Sequence, residues 1–384
     1  MRESPAILTA GAPAGHLFRE NCECPAMPTV PHASLKIAVK AMLAAMGSSE
    51  SEAEIVADHL VEANLKGHDS HGVGMMPLYV RNWQAGTLAL NRPLETLRDD
   101  GPFLVCDAGG GHGQVAALDI TRRTVERARE TGVAVSGLIL AHHIGRVGTY
   151  GEACADAGMV SLQFVNVGGH EATVAPFRGA DARFLTNPVC IAVPAAGDMP
   201  AIVLDFATSK VALGKVRVAM NEGRRMDDGL LIDSAGRPTD DPSVMFTDPT
   251  GAMTPMGDHK GYGLALMAEL LGAALTGGMT IRPERGRDAG IRNNMLSIVI
   301  DPERLAGRGP FLAEAAAVVD WVKASPPADP SEPVLVAGEP ERLHKAERSR
   351  AGIGIDETTW SELQAAATAT GLGAARFSEL AGAG

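Results

Sequence analysis

The chain has 384 residues, of which 45% are hydrophobic and 21% charged, and a formal net charge of −12. This is ordinary globular composition with material for a sizeable core, expected in two domains. An acidic chain with no basic block argues against nucleic acid and anionic membrane as partners, and no apolar run reaches the ~20 residues of a membrane-spanning helix.

Residues 1–33 hold one short apolar stretch among prolines and lack the apolar core of a signal peptide. They read as a poorly ordered N-terminal extension, and the protein as cytoplasmic. Residues 34–66 read as two helices. The second carries a capping box at Ser51–Glu54, apolar Ile55, Val56, Leu60 and Val61 at roughly helical spacing, and a stop at Gly67. Residues 101–107 read as a strand, 116–130 as a helix with an Arg/Glu face, 132–141 as a strand and 148–157 as a helix. Four further strands are expected at 159–167, 190–195, 201–207 and 295–301. Residues 260–275 read as an apolar, buried helix. Helical patterns return from Gly309, with a proline-rich connector at 325–333.

Strands thus cluster in the middle and helices at both ends. The expected class is α+β: a sheet-containing domain at 106–305, and a helical domain built from both chain ends, 34–105 plus 306–384. Five cysteines, Cys22, Cys24, Cys106, Cys154 and Cys190, show no metal or disulfide spacing, and the last three read as small core residues.

Four stretches carry candidate chemistry. "GHGQVA" (111–116) matches G-x-G-x-x-A between a strand and a helix and invites a dinucleotide-binding reading. Against it, the chain is glycine-rich and no βαβ alternation of the usual lengths follows. "GHDSHG" (67–72) offers His68, Asp69 and His71, which with His142 and His143 raise a metal site. The spacing is poor for one, because adjacent histidines point apart, and no metal is expected. "LDFATSK" (204–210) and "MGDHKGYGLAL" (256–266) put hydroxyls, glycines and Lys260 at a strand end and a helix start, where backbone N–H groups and an ammonium suit an anion. "FLTNPVC" (184–190) precedes both in chain order, and its place beside two such loops in one domain strengthens the anion-site reading.

"GHDSHGVGMMPLYV", "HHIGRVGTYGE", "FLTNP", "LDFATSK", "DHKGYGLALMAELL" and "VAGEPE" follow one another in that order. Together they resemble the malate/L-lactate dehydrogenase family, particularly its hydroxycarboxylate dehydrogenases, over about residues 34–375. The resemblance implies a homodimeric NAD(P)-dependent oxidoreductase with a mixed, non-Rossmann cofactor-binding sheet. It places Ser70, His71, His143 and Tyr79 in the active site. It places cofactor contacts at Asn187, Pro188, Asp205, Ala207, Thr208, Ser209, Lys260, Gly338 and Glu339. Three positions depart from the family pattern. Met75 stands where many members have arginine, Leu185 replaces a glycine before Thr-Asn-Pro, and Arg178–Gly179 replaces Gly-Gly.

Reducing a 2-oxo acid to a 2-hydroxy acid needs a hydride from the nicotinamide and a proton from a group that titrates near neutrality, for which imidazole is suited. His71 and His143 are the candidates, with His143 favoured. Ser70 and Tyr79 can orient a ring or bond the substrate oxygen. With Met75 in place of arginine, the substrate carboxylate falls to Arg146, Arg81 or a backbone nest. A methionine wall suits a bulky or aromatic substrate. No basic cluster for a 2′-phosphate is evident, which favours NAD while leaving NADP open. The rivals are a malate, lactate or ureidoglycolate-type dehydrogenase, a cyclic-imine carboxylate reductase, a metal-dependent hydrolase on His68, His71 and His143, and a nucleotide-binding protein without catalysis.

Overall fold

A computed structural model describes residues 28–286 and 290–382. Most of the expected N-terminal extension, with Cys22 and Cys24, lies outside the described residues. Its last part does not read as a loose tail: β1 (Thr29–Val30) pairs with Ile353–Gly354 near the other end of the chain, and α1 (His32–Met46) follows at once.

In α1, Leu35, Ala38, Val39, Met42, Leu43 and Met46 recur at three- and four-residue spacing and are all buried. Gly47 ends it in the left-handed region, with its N–H on Ala44 O and the next N–H on Leu43 O. In α2 (Glu50–Leu65) the cap is Ser49, whose hydroxyl accepts the Glu52 N–H at 3.2 Å. The expected box at Ser51–Glu54 is therefore two residues late. Glu52 instead takes the Ser48 hydroxyl and the Asn91 N–H, and Glu54 pairs with Lys36 and Lys40 of α1. After α2 come two single 3₁₀ turns, Asp69–His71 and Val73–Met75, and α3 (Met76–Gln84).

The sheet begins before residue 106. β2 (Glu95–Asp100) is exposed throughout and has no apolar alternation to announce it, yet it pairs with β3 (Phe103–Asp107). Then follow α4 (Gly113–Thr131), β4 (Val133–Ala141), α5 (Gly148–Asp156), β5 (Val160–Gly168), β6 (Val189–Val193) and β7 (Ile202–Phe206). α6 (Leu213–Asn221), the short strands β8 (Leu231–Ile232), β9 (Pro238–Thr239) and β10 (Ala252–Met253), and α7 (His259–Ala268) precede β11 (Arg292–Ile300). α8 (Arg308–Lys323), α9 (Glu339–Ala351), β12 (Ile353–Gly354), α10 (Glu357–Ala369) and α11 (Ala374–Ala381) complete the described chain.

The main sheet has seven strands in the order β2-β3-β4-β11-β5-β6-β7 and is mixed, because β3–β4 is parallel and every other pair antiparallel. β3, α4 and β4 form one strand–helix–strand crossover, so the local context that G-x-G-x-x-A requires does exist. One core joins Leu35, Met42, Leu60, Met76 and Tyr79 to Ile353, Leu363 and Phe377. A second underlies the sheet, around Ile120, Leu138, Tyr150 and Met295. A third, smaller core at Val174, Phe184, Val216, Leu231 and Met253 holds β8–β10 against α7 and was not expected.

The apolar stretch 260–275 is helical but only one face is buried. Gly261, Ala265, Ala268, Glu269, Gly272 and Ala273 face inward, whereas Met267, Leu270 and Leu275 are exposed. α8 has no buried residue, and its Trp321 is 78% exposed. Arg178 sits at φ 67, a left-handed position that favours glycine, and its guanidinium covers the Phe177 ring at 5.2 Å.

Candidate active site

Gly67 leaves α2 at φ 81 and turns the chain into the first 3₁₀ turn. Asn64 holds that loop from inside. Its amide N–H donates to Asp69 at 2.7 Å and its carbonyl oxygen accepts the Val73 N–H at 2.8 Å. A Cβ on Gly72 would lie 2.2 Å from the same Asn64 oxygen, so Gly72 is required by close approach. α9 clamps the loop from outside. Arg348 binds both Asp69 oxygens at 2.7 and 3.1 Å, and Glu341 meets His68 at 3.3 Å.

The loop delivers His71 to His143, which lies just past the end of β4. The two rings stack, with centroids 5.5 Å apart and planes 19° from parallel. The Ser70 hydroxyl is 3.0 Å from His71 Nδ1, and the Tyr79 hydroxyl is 2.7 Å from His143 Nδ1. Tyr79 belongs to α3 and is fully buried, packed edge-on against His112 and His142. Burial pushes His71 down to about 4, helped by His68 and Arg146. Burial, with His71 and His142 beside it, holds His143 well below the ordinary histidine value, and burial raises the Tyr79 hydroxyl. Both rings are therefore neutral at pH 7.

Among the described residues no three His, Cys, Asp or Glu side chains gather into a group that could hold a metal. His68 turns to Glu341, and stacked rings direct their in-plane lone pairs side by side rather than at one point. His68, His71 and His143, on which the hydrolase reading rests, do not form such a group.

The two arginines considered for the substrate carboxylate are placed differently. Arg81 is exposed on α3, two residues and about 200° around the helix from Tyr79, so the two do not share a face. Arg146 is close to the histidines but shut in. Its side chain is 1% exposed, 3.0 Å from Glu152 and 3.8 Å from Asp205. It acts on His71 through its field. Met75 is half-buried and packs on the helical core.

Asp205 is also turned inward. Its carboxylate, 7% exposed, accepts the Gly148 N–H at 2.7 Å, and burial raises its pKa against the pull of Arg146. Asn187, at φ 27, uses its amide on Val167 N, Ala265 O and Glu269, and its carbonyl accepts the Thr208 hydroxyl, as does Thr186 O. Ser209 bonds Val211 O. Pro188 O accepts the Val165 N–H, and Ala207 sits half-buried beside Thr208. The Thr-Asn-Pro and Asp205–Ser209 segments are thus one interlocked floor. Met256 N–H donates to Thr208 O and Lys210 N–H to Thr254 O, which brings the start of α7 alongside. There Lys260 is exposed and its ammonium has no partner among the described residues, and α7 has no side-chain cap. Gly338 and Glu339 lie elsewhere, against the first residues of β7. Val203 N–H donates to Ala337 O, and the Glu339 carboxylate is taken by Lys323 and the Val336 N–H.

The family model described as malate/L-lactate dehydrogenase matches residues 30–364. The chain belongs to the malate/L-lactate dehydrogenase family. It is 44% identical over 336 residues to hydroxycarboxylate dehydrogenase B of Escherichia coli, covering 87% of this chain and 92% of that one. A solved E. coli structure assigned as a malate/lactate dehydrogenase superposes with a TM-score of 0.87 at 42% identity, covering 92% of this chain and 98% of the other. The delta1-piperideine-2-carboxylate reductase of Pseudomonas syringae superposes with a TM-score of 0.77 at 29% identity, covering 88% and 99%. The mixed α/β fold and a hydroxy-acid dehydrogenase ancestry follow.

Dehydrogenation of a hydroxy acid in this family implies a nicotinamide cofactor. The donor set fits one: an unpaired lysine ammonium beside an uncapped helix start suits a phosphate, and Gly263, where a Cβ would meet nothing within 4 Å, leaves room along α7. Several residues that shape the site gave no signal of their own in the sequence. Glu341 and Arg348 lie about 270 residues downstream of the loop they hold. Gln114 stood inside a quoted motif, but its role depends on Tyr79, 35 residues away.

Proposed function

We propose that this enzyme interconverts 2-oxo acids and 2-hydroxy acids with NAD(P), NAD being favoured, with His143 as the proton donor in the reductive direction. The observation that carries the reading is the neutral, stacked His71–His143 pair, anchored through Tyr79. The nicotinamide, when bound, supplies the hydride. His143 gives its Nε2 hydrogen to the substrate oxygen while the Tyr79 phenolic proton passes to Nδ1, so the ring stays neutral and Tyr79 regains a proton from solvent. His71, set by Ser70, stacks on it and keeps the pair uncharged. Lys260 and the first turn of α7 hold a cofactor phosphate, over the floor of Asn187, Pro188, Asp205, Ala207, Thr208 and Ser209. Arg146 supplies a fixed positive field for the substrate carboxylate. Gly338 and Glu339 contribute by shaping the start of β7.

Met75 removes a cation from the loop, so the substrate's second end meets a thioether. A bulky or aromatic monocarboxylic acid suits that surface better than a dicarboxylate, whose second charge would be left unpaired. A cyclic-imine carboxylate is the second substrate reading, favoured by the likeness to the piperideine-carboxylate reductase. The reading includes a helical domain from both chain ends, a non-Rossmann cofactor domain, a cytoplasmic location and a homodimer. The unburied α8, with Trp321, supports the dimer. Purified protein, NADH or NADPH and a panel of 2-oxo acids and cyclic imines test the function by loss of nicotinamide absorbance. Turnover of 2-oxo acids is expected, and no turnover of any carbonyl or imine overturns it.

A further inference from the structure

The "GHGQ" stretch that imitates a dinucleotide-binding fingerprint lies at the start of α4, but that helix end is closed. Residues 110–114 are all buried. A Cβ on Gly111 would lie 2.9 Å from Arg92 Cβ, and the His112 ring packs against Tyr79. A Cβ on Gly113 would come within 2.3 Å of His142 O and 2.6 Å of His143 O. These are backbone atoms that cannot swing away, so glycine is needed for α4 to sit directly on the histidine-bearing peptide. No diphosphate can reach those N–H groups.

That approach places Gln114. Its side chain is 0% exposed, and its amide N–H donates to the Tyr79 hydroxyl oxygen at 2.7 Å. Its carbonyl oxygen has no hydrogen-bond partner among the described residues. A buried amide with half its capacity unmet is a costly way to fill space, since an apolar side chain of the same length would avoid the desolvation. The bond it does make has a direction. With the Gln114 N–H occupying the tyrosine oxygen, the single phenolic proton turns to His143 Nδ1, also 2.7 Å away. An Nδ1 that accepts cannot carry the hydrogen of a neutral ring, so that hydrogen sits on Nε2.

We propose that Gln114 is a positioning residue that acts through Tyr79 to hold His143 in its Nε2–H tautomer. This rests on the reading of His143 as the proton donor, and extends it: the donor is kept with its hydrogen on the nitrogen away from the protein. The glycines of "GHGQ" serve that relay and not a dinucleotide.

The test is nitrogen NMR of protein labelled at histidine, with His143 assigned by the signal missing in His143→Gln. The wild type is expected to show His143 as the Nε2–H form. In Gln114→Met, which keeps the length and removes the donor, the Nδ1–H form should appear, as it should in Tyr79→Phe. A wild type in the Nδ1–H form, or a Gln114→Met spectrum like the wild type, overturns the proposal. In turnover, Gln114→Met should lower kcat about 10- to 100-fold, a part of what a general acid or its tautomer contributes, with the cofactor Kd unchanged. Tyr79→Phe combined with Gln114→Met should lose no more than Tyr79→Phe alone, whereas additive losses would mark Gln114 as merely structural. The tautomer readout needs no activity. A shifted tautomer in a protein that turns over nothing would overturn the function reading and leave the relay standing.

Discussion

The histidine pair and the start of α7 are built in opposite ways. At the first, Ser70, His71, Tyr79, Gln114 and His143 are linked to one another or stacked, and loop and helix partners hold them from both sides. At the second, Lys260 is exposed, its ammonium has no partner among the described residues, and the helix start has no side-chain cap. The contrast fits the roles proposed for each. A proton donor must have its hydrogen on a defined nitrogen before the substrate arrives, which requires fixed bonds. A phosphate contact is a charge that needs only an open approach. The first region should therefore govern the chemical step, and the second only binding.

The largest test removes the fixed end. His143→Ala should lower kcat ~10²–10⁴-fold, the usual contribution of a general acid, while the cofactor Kd stays near wild type. A variant with full turnover would make the stacked pair structural. Next comes the open end. Lys260→Ala should weaken cofactor binding about tenfold, from a lost charge-assisted contact of ~1.5 kcal/mol, with kcat at saturating cofactor almost unchanged. Calorimetry showing an equal Kd would reduce the α7 start to a bare helix end.

A smaller effect concerns Met75, on the loop that carries His71. The wild type should prefer phenylpyruvate to oxaloacetate, and Met75→Arg should shift kcat/KM toward the dicarboxylate by about tenfold. Oxaloacetate preferred by the wild type would end the methionine-wall reading.

The last test reads the cost of the buried imidazoles. Burial holds His71 and His112 down to about 4, and His59 and His142 to about 3, against 6.5 for an ordinary histidine. The unfolded chain thus takes up these protons first as pH falls. Their stabilisation is complete above pH 6.5 and is lost toward pH 4. His112, whose two ring nitrogens have no protein partner, is the cleanest to remove. The drop in Tm between pH 7 and pH 5 should be smaller in His112→Phe than in the wild type. Equal drops would show that His112 takes no part in the acid limb.

Local pattern was enough for much of the molecule. The period of Leu35, Val39, Met42 and Met46 makes α1 a helix with one apolar face, and the valine-containing run 160–168 reads as a strand, because those properties act within one turn or one pleat. The ordered motifs around His71, His143, Thr208 and Lys260 were also legible as a family resemblance. What the sequence by itself could not decide was which side chains meet across long separations. β2 is polar and forms only because β3 offers a paired edge. Arg146 reads as a free guanidinium until Glu152 and Asp205 close over it. Arg81 and Tyr79 are two residues apart but face opposite ways on α3. Gln114 acquires its role from Tyr79 and from the close seating of Gly113 on the His142–His143 backbone. Hydrogen-bond direction, burial and charge pairing depend on distances set by the packed whole, and no stretch of chain contains them.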